Sequence, residues 1–206
     1  RRLAVRPRTL TPARDHAPAG ERLTTADGVR IRLQANIELI EDLQLLREHG
    51  AEGVGLYRSE FMLSGRSLDA ATEDAQYALY KSLLEQVAPL PVTIRTFDLD
   101  ERQLTPHGVM DRRRARPGLR GLRLGLARPE LLRTQLRALV RASVHGRLRL
   151  MFPFVTSVEE VRQAREILKQ AAADIGVPVG FPVGAMVEVP SAALSADLLA
   201  PEVDFL

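Results

Sequence analysis

The chain has 206 residues, 45% of them apolar and 27% charged, with a formal net charge of +3. That balance excludes a disordered or fibrous protein, and the absence of cysteine excludes disulfides and thiolate chemistry within the chain. No run approaches the roughly 18 apolar residues that cross a bilayer, and no leader pattern opens the chain, so a cytoplasmic, non-membrane protein is expected. Among the 29 basic residues only Lys81 and Lys169 are lysine. The rest are arginine, which keeps its charge and holds oxyanions in a planar fork.

Residues 1–23 carry several prolines and arginines without apolar periodicity and read as a linker. A domain is expected over 24–206. It opens with Thr25-Ala26-Asp27-Gly28, a turn signal. Val29, Ile31 and Leu33 then alternate with Arg30 and Arg32, which predicts a strand running over 29–37. Leu39, Leu43 and Leu46 at helical spacing, stopped by Gly50, predict a helix. VGLYRSEF is a strand, and the stretch to Pro89 is a helix with Tyr77, Tyr80, Leu84 and Val87 on one stripe. PVTIRTFD is a strand. The next helix starts at Pro129, preset for a first turn, and ends at Gly146. RLRLMFPFV is a strand, followed by a helix with a Ser157/Glu160 capping box and Gly176 as terminator. GAMVEVP is a strand, SAALSADLLAP a short helix, and EVDFL opens like a sixth strand.

Strand then helix, five times over with short connections, predicts an α/β fold with a parallel sheet. No glycine-rich phosphate loop follows any strand, which disfavours a dinucleotide or P-loop fold. The expected architecture is therefore a parallel (β/α)8 TIM-barrel type, truncated within the sixth strand.

Chemistry in such a barrel sits at the C-terminal ends of strands. Those ends carry Asn36, Arg58, Arg95, Pro153 and Glu188. Two arginines aimed at one mouth suit a phosphate or carboxylate through forked hydrogen bonds. A carboxylate facing the same anion calls for a hard divalent cation between them. A magnesium-assisted site for a phosphorylated carboxylic acid is the reading these residues support.

GAEGVGLYRSEFML, PVTIRTFD, LRTQLRALVRASVHGRLRLMFPFVTSVEEV and VGAMVEVPSAAL, in that order, closely resemble the C-terminal domain of enzyme I of the phosphoenolpyruvate–sugar phosphotransferase system. The likeness runs from about Val29 to Leu206. It implies an eight-stranded barrel that binds phosphoenolpyruvate with Mg2+, serves as a homodimerisation domain, and passes the phosphoryl group to a histidine on a separate N-terminal domain and on to a phosphocarrier protein. By the resemblance, Arg58 and Arg95 are phosphate-binding, Arg120 in GLRGLR is near the substrate, and Glu188 is a magnesium ligand. From position alone, Glu60, just after Arg58, is expected to hold that arginine by hydrogen bonding, Asp98 at the RTFD strand end to orient an arginine, and Asn36 at its own strand end to support the set. The phosphorylated histidine and the cysteine that protonates pyruvate are expected outside these residues, so no catalytic residue is assigned here. On this reading the chain is a fragment that does not turn over phosphoenolpyruvate alone.

The family's Gly-Gly-Asp-Lys stretch reads Asp100-Glu101-Arg102-Gln103 here, and its Asn-Pro-Phe-Leu-Gly-Trp-Arg reads Arg114-Ala115-Arg116-Pro117-Gly118-Leu119-Arg120. These changes suggest two alternatives, a diverged regulatory sensor or a dimerisation scaffold. A pyruvate phosphate dikinase or phosphoenolpyruvate synthase barrel is a third. His16, His49, His107 and His145 occur singly and are expected to be structural. Arg112, Arg113, Arg114 and Arg116 lack interleaved aromatics and read as a solvated loop, not a nucleic-acid site.

Overall fold

The structure, a computed structural model, describes residues 23–63, 70–104, 116 and 118–206. The expected linker at 1–23, apart from Leu23, lies outside these residues, as do His16, His107 and the basic run 112–114.

A turn signal and an apolar alternation build two different things from the predicted strand at 29–37. β1 (Leu23–Thr24) and β2 (Arg30–Ile31) form a small antiparallel hairpin. Its turn is closed by Gly28 N–H donating to the Thr25 carbonyl at 2.9 Å, with Gly28 at φ +84°. The chain then enters the main sheet only as β3 (Ala35–Ile37). Val29, Ile31 and Leu33 are exposed, so their alternation does not mark a core-facing strand. The period was real, but a hairpin arm this short has no layer to bury against.

β3 is followed by a 3-10 turn (Ile40–Asp42) and α1 (Leu43–Glu48), then by β4 (Val54–Arg58) and a second 3-10 turn (Ser59–Leu63). α1 buries Leu43 and Leu46, whereas Leu39 is exposed, outside the helix and off the predicted stripe. α2 (Glu73–Val87) starts at Thr72, whose hydroxyl accepts from Ala75 N–H at 3.2 Å. β5 (Pro91–Arg95) leads through the Glu101–Leu104 turn to α3 (Gly121–Ala127) and α4 (Pro129–Ala142). The sequence reading missed α3, whose two glycines and lack of a capping side chain give no helical signal.

β6 (Arg147–Phe152) and α5 (Val158–Ile175) follow. The Ser157 hydroxyl caps α5 by accepting from Glu160 N–H at 3.4 Å, and Gly176 closes it at φ +75°. The reciprocal arm of the predicted capping box differs: the Glu160 carboxylate accepts from Thr156 N–H at 2.7 Å, one residue earlier. β7 is short (Val183–Ala185), and α6 (Pro190–Leu194) and α7 (Ala196–Leu199) complete the described elements.

β3 to β7 form one five-stranded sheet, every pair parallel, in sequential order. Sequential order matters. A doubly wound sheet reverses direction at a switch point, whereas right-handed crossovers that always step the same way place the helices on one face. α2 accordingly packs on α4, and α4 on α5. β6 shows the two faces directly. Leu148, Leu150 and Phe152 are buried in the core, and Arg147, Arg149 and Met151 alternate with them. Burying each such apolar side chain contributes about 2 kcal/mol. Beyond β7, Phe205 bridges Gly184 in parallel, with Ala185 N–H donating to the Phe205 carbonyl at 3.2 Å.

Candidate functional site at the strand ends

The sheet register sets Arg58, Arg95, Met151 and Gly184 level across β4 to β7. Two guanidiniums on adjacent strands repel, and the chain answers with carboxylates drawn from the turns that follow. Glu60 Oε1 pairs with Arg95 Nη2 and lies 3.4 Å from Arg58 Nε. Asp98 Oδ2 lies 3.4 Å from Arg95 Nη2, and both its oxygens accept from Arg120, from Nε at 2.7 Å and Nη2 at 2.8 Å. At the other end Arg58 Nη1 donates to Glu38 Oε1 at 2.6 Å. The result is an alternating ladder, Glu38–Arg58–Glu60–Arg95–Asp98–Arg120, laid across the C-terminal ends of β3, β4 and β5.

The members differ in access. The Arg95 side chain is 6% exposed and that of Asp98 3%, whereas Arg58 keeps 40% and Arg120 51% open to solvent. Arg95 Nε and Glu60 Oε2 are buried without a hydrogen-bond partner. A buried guanidinium N–H with no acceptor costs on the order of 1–3 kcal/mol until an acceptor arrives. The bidentate hydrogen bonds that Arg120 donates to Asp98 raise its already high pKa, and the charges of Asp98, Glu188 and Asp100 reinforce the shift.

Arg120 is held by backbone geometry as well. It is the N-cap of α3, bridged to Asp100, and Gly121 N–H donates to the Leu99 carbonyl at 3.0 Å. Gly121 has φ +55°, and a Cβ there would stand 2.6 Å from Phe154 Cβ. Glycine is required at this position for both reasons. Phe154 is itself at φ +52°, a strained conformation for a bulky residue that costs on the order of 1–3 kcal/mol. That conformation accompanies a bond from Phe154 N–H to Glu188 Oε1 at 2.7 Å, which orients the exposed carboxylate after β7.

The family model described as "PEP-utilising enzyme, PEP-binding domain" matches residues 14–206. The chain belongs to this family. It is 45% identical over 192 residues to the phosphoenolpyruvate-protein phosphotransferase of Geobacillus stearothermophilus, a match covering 90% of this chain and 33% of that protein. The protein of the same name from Priestia megaterium is 44% identical over 191 residues, with 90% and 33% covered. That of Staphylococcus carnosus is 42% identical over 187 residues, with 88% and 32% covered. The chain thus spans about a third of the length of these PEP-utilising relatives.

Within this family member, the residues singled out from sequence are distributed as follows. Arg58, Glu60, Arg95, Asp98 and Arg120 are brought into one connected ladder. Glu60 is shared between Arg58 and Arg95, with the closer approach to Arg95 and not to Arg58 as the sequence suggested. Glu188 stands beside Arg120 but outside the ladder. Asn36 is exposed in the middle of β3 and lines a cleft of about 480 Å3 with Glu38, His49 and Arg58. His145 lies at the end of α4, with Nε2 3.1 Å from the Tyr77 hydroxyl and Nδ1 3.3 Å from Glu85. Glu38, Ser59, Gln135 and Phe154 were missed. Ser59 and Phe154 each lie one residue past a position flagged at a strand end and Glu38 two residues past one, and Gln135 has no sequence signal beyond falling between Leu132, Leu136 and Leu139 on a buried face.

A divalent cation fits this chemistry in one way. Among the described residues no group of three or more His, Asp or Glu is gathered to hold a metal. Glu188 offers one exposed carboxylate, with one oxygen accepting from Phe154 N–H. Mg2+ characteristically takes one or two carboxylates and completes its shell with waters and substrate phosphate oxygens. The donor set therefore suits an ion that comes with its substrate.

Proposed function

We propose that this chain is the phosphoenolpyruvate-binding part of a phosphoenolpyruvate-protein phosphotransferase, built on a (β/α)8 barrel to which the five described strands contribute consecutive staves. One observation carries the reading: two guanidiniums stand at the C-terminal ends of adjacent parallel strands and a third joins them from the N-cap of α3, all positioned by shared carboxylates, with a buried donor still unpaired on Arg95. Pre-organised donors of this kind stabilise charge without reorganising when the ligand arrives.

Arg58 and Arg120, open to solvent, would contact the phosphate and carboxylate oxygens, while Arg95 supplies the buried N–H between them. Glu188 would hold Mg2+. The ion, when bound, supplies positive charge to the phosphate and to the enolate left behind. The chain's own contribution is to fix the angle of the phosphoryl group as it leaves for a histidine carried elsewhere, which is positioning plus electrostatics. The ladder and Glu188 together present four carboxylates to three guanidiniums, so an anionic substrate gains from an accompanying cation. A phosphocarrier protein as the next acceptor, a homodimer and a cytoplasmic setting complete the proposal. This chain alone is expected not to turn over phosphoenolpyruvate.

A second reading, a sensor or scaffold that binds without transferring, is favoured by one observation. The turn at Glu101–Leu104 spends its polar groups on itself. Asp100 pairs with Arg102 and accepts from Arg102 and Gln103 N–H groups, Gln103 Oε1 accepts from Asp100 N–H, and Glu101 holds Arg116. Incubating the protein, as its gene encodes it, with phosphate-labelled phosphoenolpyruvate separates the two. The phosphotransferase reading expects an acid-labile, base-stable label on the protein with release of pyruvate. Binding with neither label nor pyruvate establishes the scaffold.

A further inference from the structure

A run of polar side chains is sealed inside the layer between helices and sheet, where an apolar core would be expected. Ser59, Gln76, Tyr80 and Gln135 are all buried, each with 1% or less of its surface exposed. Their protons fall into one consistent order. Gln135 Oε1 accepts from Phe97 N–H at 2.9 Å, which fixes the orientation of its amide. Its Nε2 then donates twice, to Ser59 Oγ at 3.0 Å and to Tyr80 Oη at 2.8 Å. Ser59 Oγ passes its own proton to the Arg95 carbonyl at 2.6 Å. Tyr80 Oη donates to Gln76 Oε1 at 3.2 Å, and Gln76 Nε2 donates to the Ala71 carbonyl at 2.7 Å. Each donor in the run has an acceptor, so the network holds one arrangement.

Its anchor points flank the ladder. Ser59 lies between Arg58 and Glu60, the carbonyl it bonds belongs to Arg95, and Phe97 is the neighbour of Asp98. We infer that Gln135 is a positioning residue for the anion site: from α4 it fixes the main chain after β4 and β5 so that Arg58, Arg95 and their carboxylates converge. The inference rests on the phosphoenolpyruvate-binding reading and extends it to a residue that touches no ligand. A shift of either strand end would draw Glu60 away from one of its two arginines, and Gln135 bonds the main chain after β5 and the side chain after β4 at once.

The two branches of the network make distinguishable predictions. Ser59→Ala and Gln135→Met break the branch that reaches the ladder, and Gln76→Leu breaks only the branch that reaches Ala71. The measurement is calorimetric affinity for phosphoenolpyruvate with Mg2+, on the protein as its gene encodes it, beside the thermal midpoint of each variant. Ser59→Ala and Gln135→Met are expected to lose about tenfold in affinity while still folded, and Gln76→Leu to lose thermal stability with affinity unchanged to within about twofold. Should Gln135→Met not fold, Ser59→Ala carries the test. A parent that binds phosphoenolpyruvate, with Ser59→Ala binding equally well, overturns the inference alone. Equal affinity losses in Ser59→Ala and Gln76→Leu also overturn it, since the effect then follows general destabilisation. A parent that binds no phosphoenolpyruvate overturns the functional reading and this inference with it.

Discussion

Arg58 and Arg95 stand level on neighbouring strands, and what would be a like-charge clash becomes a ladder because Glu60 is shared between them and Asp98 continues it to Arg120. Asp98 is the most buried carboxylate of the ladder, and removing its charge leaves the buried Arg95 with Glu60 alone and takes the bidentate partner from Arg120. Asp98→Asn is expected to destabilise the chain by on the order of 3 kcal/mol, read from the shift of a urea unfolding curve. A shift indistinguishable from zero would show that Arg95 finds other compensation. Gly121→Ala has two costs, the left-handed φ and the approach to Phe154, and should both destabilise the chain and displace Arg120. At this scale the sequence was informative where charge coincided with a strand end: Arg58, Arg95 and Glu188 follow from position alone. Asp98 was read from its place at the RTFD strand end, and Arg120 needed the family resemblance. Gln135 escaped because an isolated glutamine in a helix reads as solvent-facing, and only the packing of α4 against two strand ends reveals otherwise. The strained φ of Phe154 has no sequence signature at all.

The long helices were legible because their period, caps and stops agree. α2, α4 and α5 lie within a few residues of their predicted limits, and Pro89, Pro129, Ser157 and Gly176 are the reasons. Ser157→Ala should cost about 1 kcal/mol by loss of the α5 cap, again measurable by chemical unfolding. The 29–37 segment was misjudged because alternation cannot say which partner a strand pairs with, and here the pairing changes midway from hairpin to sheet. Between helices, Glu73 of α2 accepts from Arg137 Nε and Arg141 Nη1 of α4, at 2.6 and 2.7 Å. Burial opposes ionisation of Glu73, but these two arginines outweigh it and hold the carboxyl below its usual range. The stabilisation is thus complete above the unfolded carboxylate value of about 4.3 and is lost as pH falls through the lower folded value. Urea midpoints followed downward from about pH 6 should show this acid-side decline, and Glu73→Gln should flatten it. An unchanged decline in that variant would place the acid sensitivity elsewhere.

Taken whole, the described residues form a one-way parallel sheet with its helices layered on one side and the arginine–carboxylate ladder at its strand ends. The tyrosines report on the integrity of that layer. Burial, reinforced by Glu41 and Glu60, pushes Tyr57 up to about 12, and burial raises Tyr80 as well. A raised folded value means stability is intact below the unfolded tyrosine value of about 10 and is lost as pH rises through about 12. Tyrosinate absorbance from these two residues should therefore appear together with loss of helical dichroism; full ionisation in a still-folded chain would contradict their burial.

The central claim is that the strand-end ladder binds phosphoenolpyruvate and needs a cation to do so, because four carboxylates there face three guanidiniums. Calorimetric titration of phosphoenolpyruvate into the protein as its gene encodes it, with Mg2+ and with the metal removed by chelator, tests this most directly. The account predicts saturable binding with Mg2+ and an affinity at least about tenfold weaker without it. No binding in the presence of Mg2+, or the same affinity in its absence, would contradict it.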